Sequence, residues 1–240
     1  MSDTITLDAD TGDALRVIAS PPRADESERP IDPRLVLLAA PDSPAAAGYR
    51  VLRHRVLSQD DPRVIAVTSA GPHEGKSACA ANLALAIAEG GQSRVLLVEA
   101  NLRAPSLATL FAVTPGECFA RQMAAHRPTD GARRERPWSV AEISPGLHLA
   151  ALLPPAEGEP LHLDGPALAA ALTSLRAGGY DYLVVDAPAV LGSADVNLID
   201  QCVDGVLFTV LRGRTSGRAL GRAIEQLRPK KLLGLVLVGA

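Results

Sequence analysis

From residue 63 onward, short continuous apolar runs alternate with amphipathic stretches. The runs at 64–69, 94–99, 147–152, 182–186, 205–210 and 232–238 are too short for ordinary helices and carry no polar face. That pattern predicts strands buried on both sides. Between them, helical spacing predicts helices over 77–89, 105–111, 166–176, 195–201 and 216–227. Strand and helix in alternation predict an α/β fold of three layers, a mostly parallel central sheet with helices on both faces. Upstream, residues 1–30 are rich in Asp, Pro, Arg and Ser and read as a disordered tail. Residues 31–40 read as an extended lead-in. A helix follows over 45–57, with Tyr49, Val51, Leu52, Val56 and Leu57 on its apolar face, and Asp60-Asp61-Pro62 ends it. Residues 112–146 show little periodicity, and 133–136 read as a solvated loop. The expected organisation is one domain over 31–240 behind the tail.

Composition narrows the class. At 240 residues and 47% apolar, the chain can bury a large core. Its net charge of −3 gives no reason to expect nucleic-acid binding. Cys79, Cys118 and Cys202 are too far apart for a metal pattern and read as small hydrophobes in a reducing compartment. No apolar run reaches membrane-span length, and the acidic start lacks a signal-peptide core. These features predict a cytoplasmic protein that reaches a membrane only through a partner.

The candidate chemistry sits where the first core strand ends. Ala70-Gly71-Pro72-His73-Glu74-Gly75-Lys76-Ser77 joins that strand to the next helix in the order of a phosphate-binding loop. The loop residues Gly71, Pro72, His73, Glu74 and Gly75, with Ala78 at the helix start, would surround a polyphosphate, the non-proline residues through their backbone N–H groups. Lys76 would neutralise it, and the Ser77 hydroxyl would hold Mg²⁺. The helix N-terminus adds unpaired donors and a favourable dipole. With only three lysines among 24 basic residues, the one in this loop is informative. A P-loop NTPase fold binding a nucleoside triphosphate is the expectation.

In parallel sheets ligands lie at the carboxyl ends of strands. Two runs end there in acids, at Glu99 and Asp186. Asp186 is the stronger candidate, because a carboxylate ending an apolar strand is otherwise an expensive burial. Arg212, Arg214, Arg218 and Arg222 suggest a basic helical face, ordinarily a solvated surface but open to a partner.

Glu99-Ala100-Asn101-Leu102-Arg103-Ala104-Pro105 resembles the second Walker-type motif of the bacterial tyrosine kinases (BY-kinases), which reads D-x-D-x-R followed by Pro. The loop ending Glu74-Gly75-Lys76-Ser77 resembles their phosphate loop. Tyr180 to Pro188 resembles their Walker B segment, with Asp195 at a further acidic position, and the likeness runs in order over residues 31–238. Related partitioning and septum-placement ATPases carry an extra lysine early in the loop, where this chain has Gly71. The resemblance implies capsule or exopolysaccharide synthesis and export, ATP and Mg²⁺, a membrane-embedded polysaccharide co-polymerase as activator, and homo-oligomers. It implies Lys76, Glu99, Arg103 and Asp186 as catalytic residues. Ser77, Asn101 and Asp186 would be metal ligands, and Gly71 to Ala78 with Arg212 would contact nucleotide.

Four departures bear on turnover. Glu99 stands where the family has Asp, and an extra methylene moves a carboxylate by about 1–1.5 Å, enough to cost about 100-fold in rate. Asn101 replaces the second Asp and lacks its charge. Ala47 stands at the Glu of an E-x-x-R-x-x-R assembly helix that retains Arg50 and Arg53. The chain ends at Ala240, so the C-terminal tyrosine cluster of such kinases is not expected, and Tyr49, Tyr180 and Tyr182 are the only tyrosines. Two readings follow: an enzyme transferring phosphate to tyrosine or water, and a nucleotide-gated scaffold with weak turnover.

Overall fold

The computed structural model describes residues 5–6, 15–18, 31–126, 137–153 and 163–239. The first two stretches, β1 (Ile5–Thr6) and β2 (Leu15–Ile18), join the sheet and depart from the expectation of a structureless tail. Leu15-Arg16-Val17-Ile18 supplies strand-favouring residues to an edge of the sheet that is open there. The other residues of the tail, and the loop at 133–136, lie outside the described residues.

Two short helices come next, α1 (Val36–Ala39) and α2 (Pro44–Leu57). Helix α1 replaces the predicted extended lead-in. It buries Leu37, and Asn82 holds it down by accepting from Leu37 N (3.3 Å) and donating to Arg34 O (2.7 Å). Helix α2 starts where Ser43 caps Ala46 N and Pro44 fills the first turn. The core then runs β3 (Val64–Ser69), α3 (Lys76–Ala88), β4 (Val95–Glu99), α4 (Leu107–Leu110) and α5 (Phe119–Ala125). It continues with β5 (Trp138–Ser144), β6 (Leu147–Ala150), α6 (Gly165–Ala177), β7 (Tyr182–Asp186), α7 (Asp195–Asp200), β8 (Gly205–Leu211), α8 (Gly217–Leu227) and β9 (Leu232–Val238).

The nine strands form one sheet in the order β1-β2-β5-β6-β4-β7-β3-β8-β9. The run from β6 to β9 is parallel throughout, and only β1–β2 and β5–β6 are antiparallel. Alternation within each strand feeds two cores. Val64, Ala66, Leu96, Val98, Leu183 and Val185 pack toward α5 to α8. Ile65, Val67, Val95, Leu97 and Val184 pack toward α1 to α4. Helix α3 is buried nearly all round, consistent with a sequence of small and apolar residues on every face. The three-layer α/β expectation therefore holds. The topology also sets the carboxyl ends of β3, β4 and β7 side by side, with Val67 and Glu99 both in register with Asp186.

Replacing Asn82 with Ala leaves the Leu37 N–H and the Arg34 carbonyl without their partner. The expected loss is about 1–3 kcal/mol of unfolding free energy, read as a lower urea midpoint with an unchanged slope.

Candidate functional site

The loop from Ala70 to Gly75 is shaped by its backbone. Gly75 caps α3 in the left-handed region (φ 79°) with no side chain closing the helix end, so the first-turn N–H groups point outward. A Cβ there would stand 3.1 Å from Val238 Cγ2, so glycine is needed for space as well as for φ. His73 also adopts positive φ (60°), an outlier for most side chains but tolerated by His. Glu74 is buried and folds back to accept from Gly71 N (3.1 Å), while Ser69 Oγ donates to Gly71 O (2.7 Å). These bonds brace the loop from inside.

The wall opposite is the segment after β7. Val190 N donates to Ser69 O, Leu191 N to Ala70 O, and Thr68 Oγ1 to Pro188 O. Arg103 adds a tie, donating from Nη1 to Gly192 O (3.0 Å).

Between loop and wall lies Asp186, fully buried, with neither carboxylate oxygen hydrogen-bonded. Burial pushes its pKa up to about 7; the neighbouring Ser77 hydroxyl and Lys76 ammonium pull it down, and Glu99 pushes it further up. Lys76 is itself buried. An orphaned carboxylate beside a hydroxyl and an ammonium fits a hydrated divalent cation that arrives with a phosphate chain. Among the described residues, no group of three or more His, Cys, Asp or Glu could hold a metal alone. The donor set suits a metal shared with a nucleotide.

Glu99, one of the expected catalytic residues, is held by main-chain donors. Its Oε1 accepts from Ser106 N and from Leu107 N (2.8 Å), and its Oε2 from Leu152 N (2.9 Å). Burial raises its pKa, partly offset by these N–H groups. The extra methylene carries the carboxylate onto the first turn of α4 and the end of β6, where it works as a clamp. Asn101 is also buried, and its amide nitrogen donates to Ala104 O (3.1 Å) within the same turn. Arg212 leaves β8 at the same end of the sheet; its side chain is exposed and its N–H donates to Val238 O.

The structure thus gathers Gly71 to Ala78, Glu99, Asn101, Arg103 and Asp186 around one cleft end, and sets Arg212 at its rim. Sequence reasoning missed Thr68 and Leu152, which hold the wall and the clamp, and Val238 as a neighbour of Gly75. The tyrosines are all engaged. Tyr180 is buried with its hydroxyl 2.6 Å from His148 Nδ1, Tyr182 donates to Asp61 Oδ1, and burial raises the pKa of half-buried Tyr49.

Fold and loop together define a P-loop NTPase. A model of the ParA family, described as the NUBPL iron-transfer P-loop NTPase, matches residues 62–213. The chain belongs to the ParA family of P-loop NTPases. It is 30% identical over 213 residues to the succinoglycan biosynthesis transport protein ExoP of Rhizobium meliloti, covering 84% of this chain and 26% of that protein. It is 29% identical over 213 residues to the tyrosine-protein kinase YwqD of Bacillus subtilis, covering 85% of each. The chain therefore spans about a quarter of the first relative's length and most of the second's. The kinase domain of the Escherichia coli tyrosine kinase ETK superposes with a TM-score of 0.69 at 20% identity, over 86% of this chain and 80% of that one. That likeness shows the fold.

Because Asp186 has a pKa above its ordinary 3.8, the ligand-free folded chain holds an extra proton between about pH 4 and about 7. Its contribution to stability is therefore present at low pH and lost as pH rises through that window. Asp186→Asn should remove this dependence and raise the ligand-free Tm at pH 8 by roughly 3 °C or more, the shift from about 1 kcal/mol in a chain this size. Thermal melts of both proteins from pH 5 to 8 check it; parallel slopes would contradict the assignment.

Proposed function

We propose that the chain binds ATP with Mg²⁺ on the 70–77 loop and acts as a BY-kinase-like protein in exopolysaccharide or capsule synthesis and export. The orphaned, buried carboxylate of Asp186 beside Lys76 and Ser77 carries this reading. Loop N–H groups and the α3 N-terminus take the phosphate oxygens, and Lys76 neutralises the β- and γ-phosphates. Ser77 and Asp186 hold the cation, and the Asn101 amide oxygen is the further candidate ligand. Mg²⁺, when bound, supplies charge neutralisation across the transferring phosphate. Arg103 and Glu99 fix the surrounding loops, so they act here as positioning residues.

The acceptor is a partner's tyrosine or water, since the chain's own three tyrosines are engaged in packing and hydrogen bonds. Its relatives' names, a succinoglycan biosynthesis transport protein and a tyrosine-protein kinase, support a polysaccharide context; the activator in this reading is a membrane-embedded co-polymerase. Among the described residues no helix is long and apolar enough to cross a membrane; in this reading the partner recruits the chain to the inner face.

The clamp on Glu99 favours a second reading, a nucleotide-gated scaffold with little turnover. A carboxylate accepting three backbone N–H groups is poorly placed to take a proton from an attacking group.

Lys76→Met should abolish Mg²⁺-dependent ADP formation and weaken ATP binding by more than about tenfold. Calorimetry and an ADP time course, with and without the cytoplasmic segment of the membrane partner, check both. Tight ATP binding with no ADP under either condition selects the scaffold. No heat with ATP or ADP removes both readings.

A further inference from the structure

Strand β9 ends the sheet and reads Leu-Leu-Gly-Leu-Val-Leu-Val, with no charge and no proline to blunt the edge. Leu235 is 52% exposed and Leu237 68%. In a parallel ladder alternate residues turn both backbone polar groups to the same neighbour. Val238 O accepts from Arg212 N, so Val236 and Val238 face β8. Leu235 and Leu237 then direct their N–H and C=O groups away from the sheet. The strand's first half is already covered, because Gln59 Nε2 donates to Leu233 O (3.0 Å) and Lys231 Nζ reaches Gln59 O and Asp60. The open stretch is therefore Leu235 to Val238.

A basic cluster borders this stretch. Arg212 and Arg214 lie in the turn that leaves β8, where Arg212 bonds the end of β9, and Arg218 and Arg222 follow one turn apart on α8. All four are exposed and have no acidic partner among the described residues.

We propose that the β9 edge from Leu235 to Val238 docks an extended segment of a partner protein that alternates apolar and acidic residues. The added strand would satisfy the outward N–H and C=O groups of Leu235 and Leu237. Its apolar side chains would cover the two leucines, and its acids would meet the arginines. A second copy of this chain fits less well. Antiparallel pairing of two β9 edges over Leu235 to Val238 would place the Arg212 and Arg214 of both copies at the two ends of one four-residue seam, like charge near like charge. A lipid surface supplies no strand to the open ladder. The proposal does not require phosphoryl transfer.

A short fluorescein-labelled peptide of alternating valine and glutamate, titrated against the full chain by anisotropy, tests it. Saturable binding is expected, weakening with salt. Leu237→Pro removes one outward donor and should weaken binding by about tenfold or more, as should R218E/R222E. Should the proline variant lose its circular-dichroism spectrum, Leu237→Glu takes its place, and retained ATP binding in each variant separates this test from the nucleotide reading. No saturable binding overturns the proposal, as does binding unaffected by either kind of variant. Equal binding of a peptide with its valines and glutamates in two blocks also overturns it. Co-sedimentation with phosphatidylglycerol vesicles that R218E/R222E abolishes and Leu237→Pro leaves intact would replace it with a membrane surface. A dimer lost in Leu237→Pro would replace it with a second copy.

Discussion

Two carboxyl groups are buried side by side at the ends of β4 and β7, with Glu99 and Asp186 directly in register. Two such charges cannot both be left bare in an apolar sheet. The chain answers Glu99 with three backbone N–H groups and Asp186 with none. The surrounding architecture follows from that asymmetry. Clamping Glu99 fixes the turn through Asn101 and Arg103, and Arg103 in turn fixes the wall at Gly192. The wall is laced to β3 through Thr68, Ser69 and Ala70. What remains is one carboxylate, one ammonium and one hydroxyl facing an open helix end. That set is complete only with a cation and an anion supplied from outside.

The parts of this arrangement that were legible in the sequence are those written in local pattern. Strands β3, β4, β7 and β8 are continuous apolar runs, because both faces are covered; β9 reads the same way although its outer half is exposed, and the loop announces itself by Gly75-Lys76-Ser77 at a strand-to-helix junction. The less legible elements depend on distant partners. Strand β5 mixes polar and apolar residues, and it is defined by antiparallel pairing with β6 and by Gln122, whose Oε1 accepts from Ser139 N (2.6 Å). Helix α1 is four residues long and held by Asn82, 45 residues away from Leu37. The use of Glu99 was invisible for the same reason. Its partners are main-chain N–H groups, which carry no residue identity, and one of them lies 53 positions along the chain.

The pairing of Arg50 and Arg53 adds a constraint on assembly. Arg50 grips Glu89 through Nε and Nη2 (2.6–3.0 Å) and Arg53 donates to Ala86 O (2.8 Å), so both arginines are turned onto the far end of α3. Each ion-pairing group is a third or more exposed, so the pair contributes little to stability. Its consequence is geometric. With Ala47 exposed on the same helix, an interface through α2 would have to exchange an intrachain pair for an interchain one, at small net gain.

The phosphate loop and the open sheet edge meet at one residue. Val238 closes β9, lies against Gly75, and accepts from Arg212 through its carbonyl. A displacement of β9 large enough to matter would be felt at the left-handed residue that aims the α3 N-terminus. Coupling of this kind is reciprocal: whatever factor an added strand imposes on nucleotide affinity, nucleotide must impose on the strand. The size of that factor depends on whether the backbone at Gly75 differs between loaded and empty loops, because a ligand shifts only an equilibrium between states it distinguishes.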